Sequence, residues 1–331
     1  MHFSFIIPVF NRPAEVDELL ESLTFQTYTN FDIVIVEDGS TLKCDKVINK
    51  YKSKLDIQYY FKSNSGPGPS RNYGVDKSNS EYFIFCDSDC IIPPMYLNEV
   101  QKQLKINYTD AFGGPDNAHS SFTPLQKAIN YAMTAFITTG GIRGGKKSIG
   151  NFQPRSFNMG ISKTAYSNTG GFGNIHPGED PDLTIRLWKL GYETQLIPKA
   201  FVYHKRRISW IQFYKQVNKF GKCRPILNYW HPETSKITYW FPTCFIFGLA
   251  LGLLLSINYN NSFLICLYIF YFILLLFDST IRNKNIIIGF MSLFATCVQY
   301  LGYGIGFLKA VIFIKVLKYK PEDAFPYLFL K

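Results

Sequence analysis

Tyr82-Phe83-Ile84-Phe85-Cys86-Asp87-Ser88-Asp89-Cys90 is an apolar run that stops in two carboxylates. A continuous apolar run this short reads as a strand buried on both faces. Asp87 and Asp89 stand where that strand runs out. Two carboxylates at this spacing suit one divalent cation, Mn2+ or Mg2+, holding a diphosphate. Asp-x-Asp is common by chance, so its weight comes from what precedes it. Phe3–Phe10 runs into Asn11-Arg12-Pro13, Ile33–Val36 into Glu37-Asp38-Gly39-Ser40, and Ile57–Phe61 into Asn64-Ser65-Gly66-Pro67-Gly68-Pro69-Ser70-Arg71-Asn72-Tyr73-Gly74. Between the first two, Val16, Leu19, Leu20 and Leu23 follow helical spacing, with Asn11 and Pro13 as entry signals. Strands alternating with helices predict a mostly parallel sheet with helices on its faces. In such sheets ligands bind at the carboxyl ends of the strands, which is where all four runs deliver polar residues.

The residue types suggest chemistry. Asp38 is either an acceptor for a nucleotide base N–H or a turn-forming Asp before Gly39. Arg71, after the Gly/Pro-rich loop, can fork onto phosphate oxygens; the alternative is a surface arginine. Gly66-x-Gly68 has neither the spacing of a dinucleotide fingerprint nor the Gly-Lys-Ser/Thr of a P-loop. Cys86 and Cys90 read as small buried fillers, since a cation that holds a diphosphate prefers oxygen.

Of 331 residues, 35 are Lys or Arg and 24 Asp or Glu, for a formal net charge of +11. No nucleic-acid motif accompanies that charge and it is spread out, so no nucleic-acid partner is expected. An anionic diphosphate substrate and anionic lipid account for it more simply. The seven cysteines form no Cys-x-x-Cys pair, and strand-like residues begin at once with no secretory signal. This reads as a reduced cytoplasmic setting.

Charge thins after residue 237, where the chain turns apolar. Tyr239–Ile257 and Ser262–Phe277 approach the ~20 residues that cross a bilayer. Ile286–Ile314 is a third apolar stretch, with Gly302, Gly304 and Gly306 read as breaking it. The basic clusters Lys205-Arg206-Arg207 and Lys219–Arg224 place the front domain in the cytoplasm. The expected division is residues 1–230 as catalytic domain and 231–331 as a helical membrane region. The third stretch reads either as a full span or as a re-entrant or interfacial segment.

The ordered motifs of the front part resemble glycosyltransferase family 2, whose catalytic domains have the GT-A fold. Ile7-Pro8-Val9-Phe10-Asn11-Arg12 is similar to that family's first strand and base-binding loop, and Glu37-Asp38-Gly39-Ser40 to its base-contacting motif. Asn64-x-Gly66 with Ser70-Arg71-Asn72-x-Gly74 is similar to its phosphate side, and Asp87-Ser88-Asp89 to its Asp-x-Asp. Gly170-Gly171-Phe172 with Gly178-Glu179-Asp180-x-Asp182-Leu183-x-x-Arg186 is similar to its acceptor side. The resemblance covers roughly residues 3–225. It implies Pro8, Asn11, Asp38, Asn64, Arg71 and Asp87 on the donor, Asp89 on the cation with His204 as a further ligand, and Asp180 as general base. Gly178, Glu179, Gln216 and Arg224 fall on the acceptor side. Glu179 and Asp182 could raise Asp180 by repulsion or cap a helix expected over Asp182–Leu190. Gly113-Gly114-Pro115-Asp116 and the loop Gly140–Lys147 would border the acceptor.

The implied activity is inverting transfer from a nucleotide-diphosphate sugar, UDP-linked in the favoured case, with a divalent cation. The acceptor would be a glycan or a lipid-linked glycan beside membrane lipid, at the cytoplasmic face of the inner membrane. The Gln-x-x-Arg-Trp of processive polysaccharide synthases is absent, which disfavours polymerisation. A non-catalytic scaffold is the alternative from another class; loss of Asp87, Asp89 or Asp180 would have supported it, and all three are present.

Overall fold

The computed structural model describes residues 1–140 and 152–330. Along the chain these form β1 (Phe3–Val9), α1 (Pro13–Leu23), β2 (Phe31–Asp38), α2 (Asp45–Tyr51), β3 (Ile57–Lys62), α3 (Pro67–Lys77), β4 (Tyr82–Cys86), β5 (Cys90–Ile91), α4 (Tyr96–Ile106), β6 (Ala111–Gly113) and β7 (Asp116–Asn117). There follow α5 (Pro124–Thr134), α6 (Phe136–Thr139), β8 (Asn158–Ser162), α7 (Lys163–Thr169), α8 (Glu179–Lys189), β9 (Thr194–Leu196), β10 (Val202–His204), α9 (Trp210–Trp230), α10 (Phe241–Tyr259), α11 (Phe263–Asn283) and α12 (Ile286–Val311). They fall into two compact units. Of the described residues, the first holds 1–119, 152–205 and 329–330; the second holds 120–140 and 206–328. Residues 120–140 and 206–230 thus group with the apolar helices.

In the first unit a seven-stranded sheet runs in the order β3-β2-β1-β4-β8-β6-β9. β1 to β4 are mutually parallel, β8 is antiparallel to both its neighbours, and β9 is parallel to β6. The mostly parallel sheet expected from the apolar runs is present. Alternation along β1 shows why those runs carry no polar face. Phe3, Phe5, Ile7 and Val9 pack with Val16, Leu19, Leu20 and Leu23 of α1 on one side. Ile6 packs with Phe83, Phe85, Ala165, Leu183 and Leu187 on the other. Gly74 is needed for one of these layers, because a Cβ there would sit 2.7 Å from Ile6 Cγ2. Both faces are thus covered, and the open ends of β1 to β4 carry Asn11, Asp38, Asn64 and Asp87. A second sheet, β5-β10-β7, pairs His204 with Cys90 across an antiparallel register.

α8 begins at Glu179, three residues before its expected start, with Gly178 (φ 122°) preceding it. Pro181 is the third residue of the helix, where no intrahelical N–H is required, so it does not delay the start.

In the second unit, three helical segments are long and apolar enough to cross a membrane: Ile237–Tyr259, Phe263–Asn283 and Ile286–Val316. Gly302, Gly304 and Gly306 do not break the third. A Cβ on Gly302 would meet Val217 Cγ2 at 2.5 Å, and one on Gly306 would meet the Asn218 carbonyl at 2.3 Å. These glycines let α12 lie close against α9. Tyr131 of α5 donates to Asp278 of α11 at 2.6 Å.

Candidate active site

The ends of β1 and β2 are laced by their own side chains. Asn11 sits at φ 55°, a left-handed conformation that Asn tolerates. Its backbone N–H donates to Ser40 Oγ at 2.8 Å, and its Oδ1 accepts from the N–H groups of Thr41 and Leu42 at 2.8 and 2.9 Å. Asp38 is buried and ordered by the loop after β3. Lys62 Nζ donates to Oδ1 at 2.6 Å, Ser65 N–H to Oδ1 at 2.9 Å, and Gly66 N–H to Oδ2 at 2.8 Å. Asn64 donates to the Asp38 carbonyl at 2.8 Å. The carboxylate thus ties the end of β2 to the loop after β3 rather than to the turn that Gly39 opens. One of the ~four lone-pair positions of its carboxylate is left for a ligand.

Arg71 is not a surface arginine and does not present its fork to an open crevice. Its side chain is 2% exposed. One Nη donates to Asp87 Oδ1 at 2.7 Å and the other lies 3.2 Å from Glu179 Oε1. The phosphate fork expected from the sequence is replaced by a bridge between two carboxylates. Its guanidinium also lies 5.2 Å from the Phe172 ring centroid. A cation surrounded this closely by anions gains more than burial costs it, so Arg71 is held above its ordinary pKa although burial opposes the charge.

Two side chains meet Asp89. Arg12 donates to Oδ2, and His204 Nε2 lies 3.2 Å from Oδ1. Burial pushes the carboxyl up, but His204 and Arg12 outweigh it and hold Asp89 below the usual carboxylate range. His204 stacks on Phe157 with ring centroids 4.7 Å apart, and its Nδ1 lies 3.9 Å from Asp116 Oδ2. Asp116, expected beside the acceptor, therefore backs the imidazole instead.

The donor chemistry of this corner suits a cation in part. Single ligand atoms of Asp89, Cys90 and His204 lie within 4.8 Å of one another. Oδ1 of Asp89 is buried and accepts no well-aligned hydrogen bond. Two ligands at right angles on a metal with ~2.1 Å bonds stand ~3 Å apart, close to the Asp89–His204 separation. Cys90 Sγ donates to the Phe157 carbonyl at 3.6 Å, and burial pushes its thiol up. The carboxylate and the imidazole fit a cation; Cys90 remains a filler.

The acceptor-side acids open α8. Glu179 is 5% exposed, with Arg71 on one side and His176 Nδ1 at 3.1 and 3.2 Å from its two oxygens. Burial raises Glu179, but His176 and then Arg71 bring it down to about 2. Asp180, 17% exposed, lies 3.9 Å from Arg155 Nη1 and accepts from Ser156 N–H at 3.4 Å. Burial is the largest influence on it and raises its pKa; Arg155 opposes, and Glu179 adds to the rise. Asp182 faces away, paired with Arg186 at 2.8 Å. The first unit thus carries Asn11, Asp38, Asn64 and Asp87 at strand ends, joins Asp89 to His204, and links Asp87 to Glu179 through Arg71 of α3. Pro8 is half-buried in β1. Gln216 and Arg224 lie on α9 in the second unit, with the Arg224 guanidinium 4.5 Å from the Tyr239 ring centroid. Residues 141–147 of the loop expected beside the acceptor lie outside the described residues. Arg12, Lys62, Arg155 and His176 were not anticipated as site residues. Each is a cation or imidazole facing a carboxylate, and their positions after strand ends or before Glu179 were the only signal available.

Acidic residues at the ends of a mostly parallel sheet covered by helices on both faces define an α/β protein. The family model described as glycosyl transferase family 2 matches residues 4–169, and the chain belongs to that family. It is 39% identical over 128 residues to an uncharacterized glycosyltransferase of Rickettsia bellii, a match covering 39% of this chain and 18% of that protein. It is 33% identical over 114 residues to a poly(ribitol-phosphate) β-N-acetylglucosaminyltransferase of Staphylococcus aureus, covering 33% of this chain and 20% of the relative. The match thus spans about a fifth of the length of these relatives. The fold is similar to that of a mannosyltransferase from Pyrobaculum calidifontis solved with GDP-Man and Mn2+, with TM-score 0.61, 14% identity, and 91% and 87% of the two chains covered.

Proposed function

We propose that this glycosyltransferase moves a sugar, with inversion, from a nucleoside-diphosphate donor to a hydroxyl of a membrane-proximal glycan or lipid-linked acceptor. The observation that carries the reading is Asp180, a carboxylate with raised pKa one residue from a buried, doubly held Glu179. As the acceptor oxygen bonds to the anomeric carbon, the bond from that carbon to the diphosphate oxygen breaks. The electron pair leaves with the diphosphate, and the hydroxyl proton passes to Asp180. A base whose pKa lies above the ordinary Asp value takes that proton more readily than an unperturbed one. Asp89 and His204 would hold Mn2+ or Mg2+, which supplies charge to offset that of the leaving diphosphate.

On the donor side, Asn11 and Asp38 shape the base pocket, with Pro8 beneath it and Asn64 bracing the loop. The single acceptor position left on Asp38 matches the one imide N–H of uracil better than the paired N–H edge of guanine, so UDP-sugars are favoured. Gly178 and Glu179 frame the acceptor side. Three apolar segments of membrane-crossing length among the described residues support a membrane location, and the basic clusters before them favour the cytoplasmic leaflet of the inner membrane. Gln216 and Arg224 on α9 would lie toward the acceptor.

The test is nucleoside diphosphate release from a panel of UDP-, GDP- and dTDP-sugars, using the full chain in detergent with Mn2+ or Mg2+. Release from one donor that stops with a chelator is expected. Asp89→Ala should weaken divalent-dependent donor binding by more than about tenfold, since lesser perturbations around metal ligands already reach that. Silence from every donor, together with binding unaltered by Asp89→Ala, would sink the reading.

A further inference from the structure

His176 belongs to no motif recognised in the sequence, yet it touches a deeply buried acid of the site. Its side chain is 41% exposed, whereas the Glu179 carboxylate it meets is 5% exposed. We propose that His176 is a positioning residue that holds Glu179 from the solvent side and so sets how readily Asp180 gives up its proton. The inference rests on the reading of Asp180 as the base.

The argument begins with charge. Asp87, Glu179 and Asp180 are three carboxylates; among the described residues the guanidiniums paired with them are Arg71 and Arg155, while Arg12, which also attracts Asp87, is committed to Asp89. Arg71 is shared, bonded to Asp87 at 2.7 Å and to Glu179 at 3.2 Å. Two cations for three anions leave one negative charge uncompensated in a poorly solvated place, which is costly. Among the described residues, His176 is a further group in contact with these acids that can carry positive charge, and its Nδ1 reaches both oxygens of Glu179. Asp182, the next acid along α8, is bonded to Arg186 and leaves this balance unchanged.

Geometry carries the effect onward. Glu179 and Asp180 are consecutive residues in the first turn of α8. A Glu179 carboxylate clamped on two sides is fixed in place, and its charge on Asp180 is offset when the imidazole is protonated. Without His176, Glu179 keeps one shared guanidinium and repels the Asp180 anion more strongly. Asp180 then holds its proton to higher pH.

The test reads Asp180 directly. The infrared C=O stretch of its protonated carboxyl, identified by its loss in Asp180→Asn, is titrated with pH in the full chain without donor. His176→Gln, which keeps a donor group but no charge, should move the midpoint up by about half a pH unit or more, roughly a threefold change in the ratio of acid to carboxylate. His176→Lys, charged throughout, should return the midpoint to the wild-type value or below. In the release assay the acid limb of the rate should move with the midpoint, with donor KM unaltered. One midpoint shared by wild type, His176→Gln and His176→Lys would overturn the contact's role. If the midpoint moves but Asp180→Asn still releases nucleoside diphosphate at the wild-type rate, the base assignment fails, and with it the catalytic meaning of the shift.

Discussion

In Asp180→Asn, nucleoside diphosphate release falls by at least about a hundredfold while donor KM stays within about twofold, because a general base acts on the transition state and not on the bound donor. Asn has the shape of Asp and can still accept from the Ser156 N–H, so the first turn of α8 keeps its geometry. It cannot take a proton. The pH profile separates this from a loss of shape. In the wild type the active form is the carboxylate, whose pKa burial has raised. The rate is therefore full above that raised value and is lost as pH falls through it, at a higher pH than an ordinary Asp would give. In the variant the residual rate should be flat across that window. A variant with near wild-type release, or one with the same acid limb, would remove Asp180 from the mechanism. Loss of release together with a large rise in donor KM would instead indicate that Asp180 binds the donor.

The sheet was legible because its central strands are buried on both faces. Continuous apolar runs such as Ile33–Val36 and Tyr82–Phe85 have no amphipathic alternative, and Gly/Pro-rich or acidic turns end each of them. The short strands β6, β9 and β10 have three residues each, too few to show a period. Only long-range pairing makes them strands. The apolar helices were legible from length and composition alone. Their glycines were not, because Gly in a helix either weakens it or admits a neighbour, and only the packing of α9 on α12 decides which. The carboxylates of the site were read from local motifs, whereas their partners were not. Arg12 meets Asp89 across 77 positions and Arg71 meets Glu179 across 108. No local pattern encodes such a pair. For the same reason Arg71, placed correctly after its loop, was expected on phosphate when it in fact bridges two acids. Asp38 is a second such case: the Gly that follows it signalled a local turn, whereas the loop after β3 takes up most of its acceptor capacity.

That bridge gives the largest expected effect on stability. Arg71→Met fills a similar volume and leaves Glu179 buried with His176 as its remaining partner. Removing one member of a buried ion pair costs about 3–5 kcal/mol, because the other is left uncompensated. Most of that loss should come from Glu179. Asp87 is 32% exposed, so water can take over part of its solvation. The pH dependence identifies the source. Glu179 is depressed to about 2 in the folded chain, below its ordinary value near ~4.5 when unfolded. A depressed carboxylate contributes stability that is fully present above the unfolded value and is lost as pH falls toward the folded one. The gap between wild type and Arg71→Met should therefore be widest above about pH 4.5 and narrow as pH approaches about 2, where Glu179 is protonated in both. Denaturant unfolding of the full chain in detergent, followed at several pH values, measures that gap. Arg71→Lys should fall between the two, since a point charge can meet one carboxylate well but cannot fork to both. A gap that is absent at neutral pH, or constant with pH, would mean that Arg71 does not stabilise Glu179, and that the link between the Asp87 and Glu179 sides of the site is not made through it.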